Sequence, residues 1–438
     1  MSIITKVKSR RVWDSRGNPT VEVDISLSDG SLGRAIAPAG ASRGTREAID
    51  LRDGGSALSG KNVARALAAV DEVIAPALVG RDVRDQQGID DAILALDPSP
   101  LKENLGGNAT VATSLAVLHA AASSARLPLW RYVAEMEGTT PAIPLPEIQI
   151  FGGGAHAGRR VDIQDFMIMV PGASSFDEVM EVTNEVYFAA GSIMAQKGKM
   201  AGVADEGGWW PVFDSNEEAL ETLVAAIEKA GETPGDRVVI SLDVAASEFG
   251  KDGRYRLALE DREMDSGQLI DMLGGWLDAY PIASIEDPVG EDDTTGMVEF
   301  TRRFGERVQI IGDDYLVTNA ALVEQAAASG ACNAVLVKVN QAGTVSESLA
   351  TFRAARKHGW GAIVSARSGE TEDVSIAHLA TALGAGQLKV GSFTRSERMV
   401  KWNECLRIQD EPGSGSFAGG AALARTWWGR KNGKETAA

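Results

Sequence analysis

Six short apolar runs, each finishing on a polar or charged residue, constrain this chain more than any other feature. VVISLDV reaches Asp243, ASIED reaches Glu286, VQIIGDD reaches Asp313, AVLVKVN reaches Lys338, GAIVSARS reaches Arg367 and QLKVG reaches Lys389. Segments of helical length lie between them, such as MVEFTRRFGER and TVSESLATFRAARKHGW. Short apolar strands alternating with amphipathic helices predict βα units around a parallel sheet. When such units close into a barrel, the C-terminal ends of the strands share one face. Three carboxylates followed by three cations would then surround a single pocket.

The rest of the chain fits around that unit. At 438 residues it has room for a barrel of about 250 residues and a companion domain. Residues 1–135 read as an α+β domain: TVEVDISLSDG is an alternating strand and turn, and helical periodicity follows in KNVARALAAVDEVIAPAL and NATVATSLAVLHAAASSA. Within it PAGASRG, from Pro38 to Gly44, is a loop of small residues able to close over a ligand. The proline cluster of MEGTTPAIPLP marks a junction, and residues 140–412 form the barrel. The stretch 413–438 opens Gly/Ser-rich and predicts a flexible tail holding a short helix and a frayed end. Its Trp427 and Trp428 are candidates to dock on the body or on a neighbouring subunit.

Charge and cysteine usage exclude several classes. A net charge of −18 disfavours nucleic acid and anionic membranes as partners, so a small anionic substrate needs a local positive centre. Cys332 and Cys405 are isolated, which leaves no disulfide framework or thiolate metal site, and four scattered histidines are too few for a zinc cluster. MSIITKVKSRR is too charged for a signal peptide, and the cytoplasm is the expected location.

Asp243, Glu286 and Asp313 offer hard oxygen ligands suited to Mg²⁺. Lys338 and Lys389 lie on strands beyond them, and a lysine near other cations can serve as a base. Metal plus lysine suits removal of a proton α to a carboxylate, with the metal holding the enolate charge. Elsewhere a glycine run precedes His156 and Asp165, and VADEGGWWP places Glu206 in a glycine-rich turn.

Several longer segments carry a family resemblance: DSRGNPTVEVD, GGAHAG, DEGG, LDVAASEF, SIEDP, GDD followed by VTN, KVNQAGT, RSGETED and RSER. Over residues 1 to about 410 the chain resembles enolase (phosphopyruvate hydratase). The resemblance implies an α/β fold, an enolase-type modified TIM barrel opening with two antiparallel strands, under an N-terminal α+β capping domain. It implies two Mg²⁺ ions, one held by Asp243, Glu286 and Asp313 and one joined by Ser42. It makes Lys338 the base at C2, Lys389 a stabiliser of the enolate, and Glu206 and Asp165 the carboxylates at the leaving hydroxyl. His156, Arg367 and Ser368 would contact the substrate phosphate, and the assembly would be a homodimer or larger homo-oligomer.

The departures from the family pattern are local. QDFM replaces QEFM at Asp165, SARSGET replaces SHRSGET at Ala366, AGASRG with Arg43 replaces SGASTG, and Gly152 stands where an asparagine is usual. Small residues in the pocket and a new cation on the lid predict a specialised paralogue with a larger or extra-anionic phospho- or phosphono-carboxylate substrate. Arg43 and the space beside Ala366 would bind the added group, as in carboxyphosphonoenolpyruvate synthase of phosphonate biosynthesis. The alternatives are ordinary enolase, dehydrating 2-phosphoglycerate to phosphoenolpyruvate, and a catalytically silent binding protein.

Overall fold

In a computed structural model, which describes residues 2–433, the barrel expected from the strand pattern is closed. Three strands precede it: β1 (Ile4–Trp13), β2 (Pro19–Leu27) and β3 (Leu32–Ile36) form an antiparallel sheet. The helix Gly107–Ala125, buried along most of its length, covers that sheet. Gly33 permits the contact, since a Cβ there would lie 2.1 Å from the carbonyl oxygen of Ala116.

The barrel strands are β4 (Leu145–Gly152), β5 (Asp165–Met169), β6 (Val239–Asp243) and, after a small sheet of β7 (Gly250–Lys251), β8 (Arg254–Leu257) and β9 (Arg262–Asp265), β10 (Ile282–Glu286), β11 (Gln309–Gly312), β12 (Ala334–Val337), β13 (Gly361–Ser365) and β14 (Gly386–Ser392). β5 runs antiparallel to both neighbours, and all other pairs in the barrel are parallel. Helices Phe176–Gln196 and Asn216–Lys229 follow β5, and a helix then follows each remaining barrel strand, after β6 by way of the small β7–β9 sheet. The order is therefore ββαα(βα)₆.

Alternation along the strands explains where the charges fall. Inward residues recur every second position, except at the register shift between Ile282 and Ser284 that lets both Ala283 and Ser284 face in, and three levels result. Leu145, Met169, Val239 and Ala283 make an apolar floor. Above it lies a level with a polar side, where Gln387 donates to Glu147, Gln309 donates to Gln387, and Ser284 donates to Gln309. Two residues higher come Asp243 above Ser241 and Lys389 above Gln387. Because β5 is reversed, its first residue reaches this level: Asp165 pairs in register with Asp243, and Met169 with Val239.

Residues 413–433 pack against the barrel rather than forming the flexible tail expected there, with the expected short helix at Trp427–Lys431 and both tryptophans docked on the body. Leu423 and Trp428 pack under the floor, and the Trp428 indole N–H donates to the Asp236 carbonyl. Trp427 is held similarly, its indole donating to Ile282 O at 2.7 Å. Apolar area left in water would be costly at an open barrel end, so the two tryptophans act as its plug. The frayed end expected at the terminus lies beyond the described residues. Among them, no helix is long and apolar enough to cross a membrane.

Removing the plug should show in stability. Trp428→Ala is expected to lower the unfolding free energy by about 3–5 kcal/mol, read from the denaturant midpoint. Val79→Ala, at a half-exposed position of the first domain, serves as the control and should move it little.

Candidate active site

The upper barrel level, the loop 38–44 and two long turns enclose one small cavity. Ser42, His156, Gln164, Asp165, Glu206, Asp243, Lys338, Ala366, Arg367, Ser368 and Lys389 all line it. The structure thus brings together nearly all the residues singled out from the sequence. Glu286 and Asp313 lie immediately behind, each contacting a lysine of the lining.

Charge pairing organises the barrel side. The Lys389 ammonium lies 2.7 Å from Asp243 Oδ2, 2.8 Å from Glu286 Oε2 and 3.5 Å from Asp165 Oδ2. Lys338 pairs with Asp313 Oδ2, while Gln341 donates to Asp313 Oδ1 at 2.8 Å. Burial pushes both lysine pKa values down, but the surrounding carboxylates outweigh it and raise them. Burial, reinforced by the charge of Asp243, pushes the Glu286 carboxyl well up.

These carboxylates fit a divalent ion. Asp243, Glu286 and Asp313 are buried, supply only hard oxygen, and converge on the two ammonium groups that balance them. Glu286 Oε1 is buried with no hydrogen-bond partner among the described residues. Two other acidic groups are tighter but fit less well. In Asp287, Asp313 and Asp314, both Asp287 oxygens already accept the backbone N–H groups of Asp313 and Asp314. In His156, Asp165 and Glu206, the imidazole is itself the cation.

On the opposite wall, His156 Nδ1 lies 3.0 Å from Asp165 Oδ1, and its Nε2 lies 3.6 Å from Glu206 Oε1 and 3.5 Å from Ser368 Oγ. Burial alone would depress the imidazole, but Glu206 and Asp165 raise its pKa to about 9. Burial likewise would raise Asp165, yet His156 and Lys389 hold it well below the usual carboxylate range. Glu206 is pinned by the close approach of Gly391, whose φ is +109°; a Cβ there would come within 3.0 Å of Glu206.

The loop 38–44 is closed over the cavity. Ala39 and Gly369 exchange backbone hydrogen bonds of 2.9 and 2.8 Å. Arg367 donates to Ser42 O at 3.0 Å and forms a buried ion pair with Glu47 at 2.8 Å. Below, buried Arg398 and Lys401 donate to the carbonyls of Arg367 and Thr371 at 2.6 and 2.5 Å, fixing the segment that carries Arg367 and Ser368.

Arg43 is the exception among the expected site residues. It is exposed, absent from the cavity lining, and makes no side-chain hydrogen bond or ion pair among the described residues. It follows Ser42 on the loop but lies outside the pocket. Nor is there an open space beside Ala366, which is buried; the cavity measures about 20 Å³, room for about one water. Gly152 leaves no gap either: a Cβ there would sit 2.9 Å from Gln149 Oε1. Gln149 provides the local amide, donating to Asp165 Oδ1 at 2.5 Å and accepting from Gly208 N at 2.9 Å.

Comparisons with known proteins agree with this geometry. The family model described as "Enolase, N-terminal domain" matches residues 4–133, and "Enolase, C-terminal TIM barrel domain" matches 140–426. The chain belongs to the enolase family. It is 47% identical over 414 residues, 94% of each chain, to Enolase 1 of Desulfitobacterium hafniense (strain Y51). Membership makes it an enzyme of the carbon–oxygen lyase type, in a Mg²⁺-dependent family that acts on small phospho-carboxylates.

Sequence reasoning missed Glu47, Gln149, Gln164 and Gln341. Gln164 donates to Asp243 Oδ2 at 3.0 Å, and Gln341 to Asp313. Both stand inside motifs already singled out, QDFM and KVNQAGT, which was the available signal. Glu47 carried none, because its partner Arg367 is 320 residues away.

The raised His156 pKa has a stability consequence. With its folded pKa above the unfolded value of about 6.5, the charged form contributes fully below pH 6.5 and is lost as pH rises through about 9. The metal-free protein should therefore lose on the order of 2–3 kcal/mol across that window. His156→Gln should flatten that part of the stability–pH curve measured by urea unfolding.

Proposed function

We propose that the chain is an ordinary enolase, catalysing the reversible dehydration of 2-phosphoglycerate to phosphoenolpyruvate. What carries this reading is the arrangement of two lysines against His156, Asp165 and Glu206 across one cavity. A base on one side of a three-carbon acid and proton-handling groups on the other are what β-elimination needs.

Lys338 removes the C2 proton. Its pairing with Asp313 fixes the amine and, with Glu286, raises its pKa; the nearby cations Arg367 and Lys389 oppose that rise, and Mg²⁺ on these carboxylates would oppose it further, favouring the neutral base. Lys389 keeps its charge and faces the negative charge that grows on the substrate carboxylate. Mg²⁺ held by Asp243, Glu286 and Asp313 supplies further positive charge there when bound. Arg367 and Ser368, with Ser42 on the loop, form the anion-binding end, where the substrate phosphate docks. Since the closed cavity accepts about one water, the loop 38–44 has to lift for substrate to enter.

The reading as a larger-substrate paralogue loses its two supports. Arg43 lies outside the lining, and Ala366 is packed rather than fronting a void. The silent-scaffold reading fares no better, because three carboxylates and two lysines remain mutually engaged at a buried site. The homodimer implied by family resemblance extends to this chain on the same footing; Trp13 and Phe188, 52% and 56% exposed, are apolar surface that such an assembly could cover.

Purified protein with Mg²⁺ should form phosphoenolpyruvate from 2-phosphoglycerate, followed by ultraviolet absorbance. Lys338→Ala should reduce kcat by roughly 10²–10⁴-fold and stop exchange of the C2 hydrogen with D₂O. Wild-type protein that neither dehydrates 2-phosphoglycerate nor exchanges its C2 hydrogen would sink the proposal.

A further inference from the structure

Lys338 follows β12 directly, and the chain that leaves it is not held by the barrel alone. Next come a short helix, Val339–Ala342, a turn at Gly343 with φ +103°, and the longer helix Val345–Lys357. On the barrel side Thr318 fixes the start of this segment. Its hydroxyl accepts from Lys338 N at 2.9 Å and donates to Gln341 Oε1 at 2.7 Å.

From Gly343 to Glu347 the partners outside the segment come from the capping domain. Thr110 Oγ1 donates to the Gly343 carbonyl at 2.8 Å, and the Lys102 stem lies so close that a Cβ on Gly343 would meet it at 2.5 Å. Lys102 then pairs with Glu347 at 3.0 Å. The first backbone N–H groups of a helix have no acceptor within it. Here Val345 N donates to Ser114 Oγ and Ser346 N to Asp90 Oδ2, both at 2.9 Å.

Asp90 is the hub of this grip. It is fully buried on the helix Gln86–Leu96, and it also accepts from the Ser346 hydroxyl at 2.6 Å and the Ser114 hydroxyl at 2.7 Å. Gln86 Nε2 lies 3.2 Å from both carboxylate oxygens, and the Gln86 Oε1 has no partner among the described residues. One carboxylate thus ties two helices of the capping domain to the start of the barrel helix that follows the base.

We propose that Asp90 is a positioning residue for Lys338: by clamping the turn beyond it, the capping domain sets where the base amine stands. This rests on the dehydration reading above. Asp90 is absent from the cavity lining and acts through the backbone 338–346. That backbone is pinned at Thr318 on one side and at Thr110, Ser114 and Asp90 on the other. Without the second anchor the turn at Gly343 is free to pivot, and a shift of about an ångström at a reacting group slows proton transfer markedly. The anion-binding end is carried by a separate segment, fixed by Arg398 and Lys401, so substrate affinity does not share the dependence.

Asp90→Ala removes the acceptor of both Ser346 groups. Per folded enzyme, kcat for phosphoenolpyruvate formation and D₂O exchange at C2 of 2-phosphoglycerate should both fall about 10- to 100-fold, with KM within about threefold of wild type. Ser346→Ala loses only the hydroxyl and should fall in the same pattern by about 3- to 10-fold; it supplies the comparison if Asp90→Ala does not fold. Asp90→Asn is the rescue. Its amide oxygen still accepts the Ser346 N–H, and Gln86 can turn its free Oε1 to the new NH₂, so kcat should return to within about threefold of wild type. Trp428→Ala, destabilised at the far end of the barrel, should keep wild-type kcat and exchange. Wild-type rates in both Asp90→Ala and Ser346→Ala would overturn the role, as would equal losses in Trp428→Ala. So would a raised KM at unchanged kcat, or an Asp90→Asn no faster than Asp90→Ala. Wild-type protein showing neither dehydration nor C2 exchange would instead count against the dehydration reading itself.

Discussion

Ammonium groups buried among carboxylates are the interaction on which the rest of the molecule depends. Lys389 lies between Asp243 and Glu286, with Asp165 beside it, and Lys338 pairs with Asp313. Any one of these charges, buried alone, would cost several kcal/mol, and breaking a buried pair costs about 3–5 kcal/mol. The residues come from strands spread over more than two hundred positions, so their charges are compensated only once the barrel closes. Assembly of the fold and assembly of the site are therefore one event. The loop follows the same logic, since Arg367 and Glu47 neutralise each other between barrel and capping domain.

Much of this was legible because a barrel turns sequence periodicity into geometry. An apolar run that ends on Asp243 or Glu286 puts that residue at the rim, whatever its neighbours do. Lys389 shows the limit of the rule: β14 continues to Ser392, so the lysine faces inward from within its strand rather than from the last position. It still reaches the others, because alternation rather than strand end decides which way it points. The motifs extended the reading to Ser42, Glu206 and His156, which sit on turns that periodicity does not describe.

What was illegible depends on side-chain direction. Asp165 opens a reversed strand, so a residue that begins its run meets residues that finish theirs. It is one methylene shorter than the glutamate of the usual QEFM, and Gln149 and His156 are gathered onto it. Arg43 looked like an addition to the pocket because it follows Ser42, yet neighbours along an irregular loop need not share a face. Ala366 looked like a void, and tight packing had already filled it. Gly152 taught the same lesson from the other side.

The plug beneath the barrel has a consequence for biogenesis. Leu423 and Trp428 seal the floor, yet they follow all eight barrel strands in the chain. During synthesis the strands emerge first, so the lower rim stays wet until this last segment clears the ribosome. The nascent barrel then carries an exposed oily opening at the end opposite its reaction centre, and a chaperone would meet that opening first.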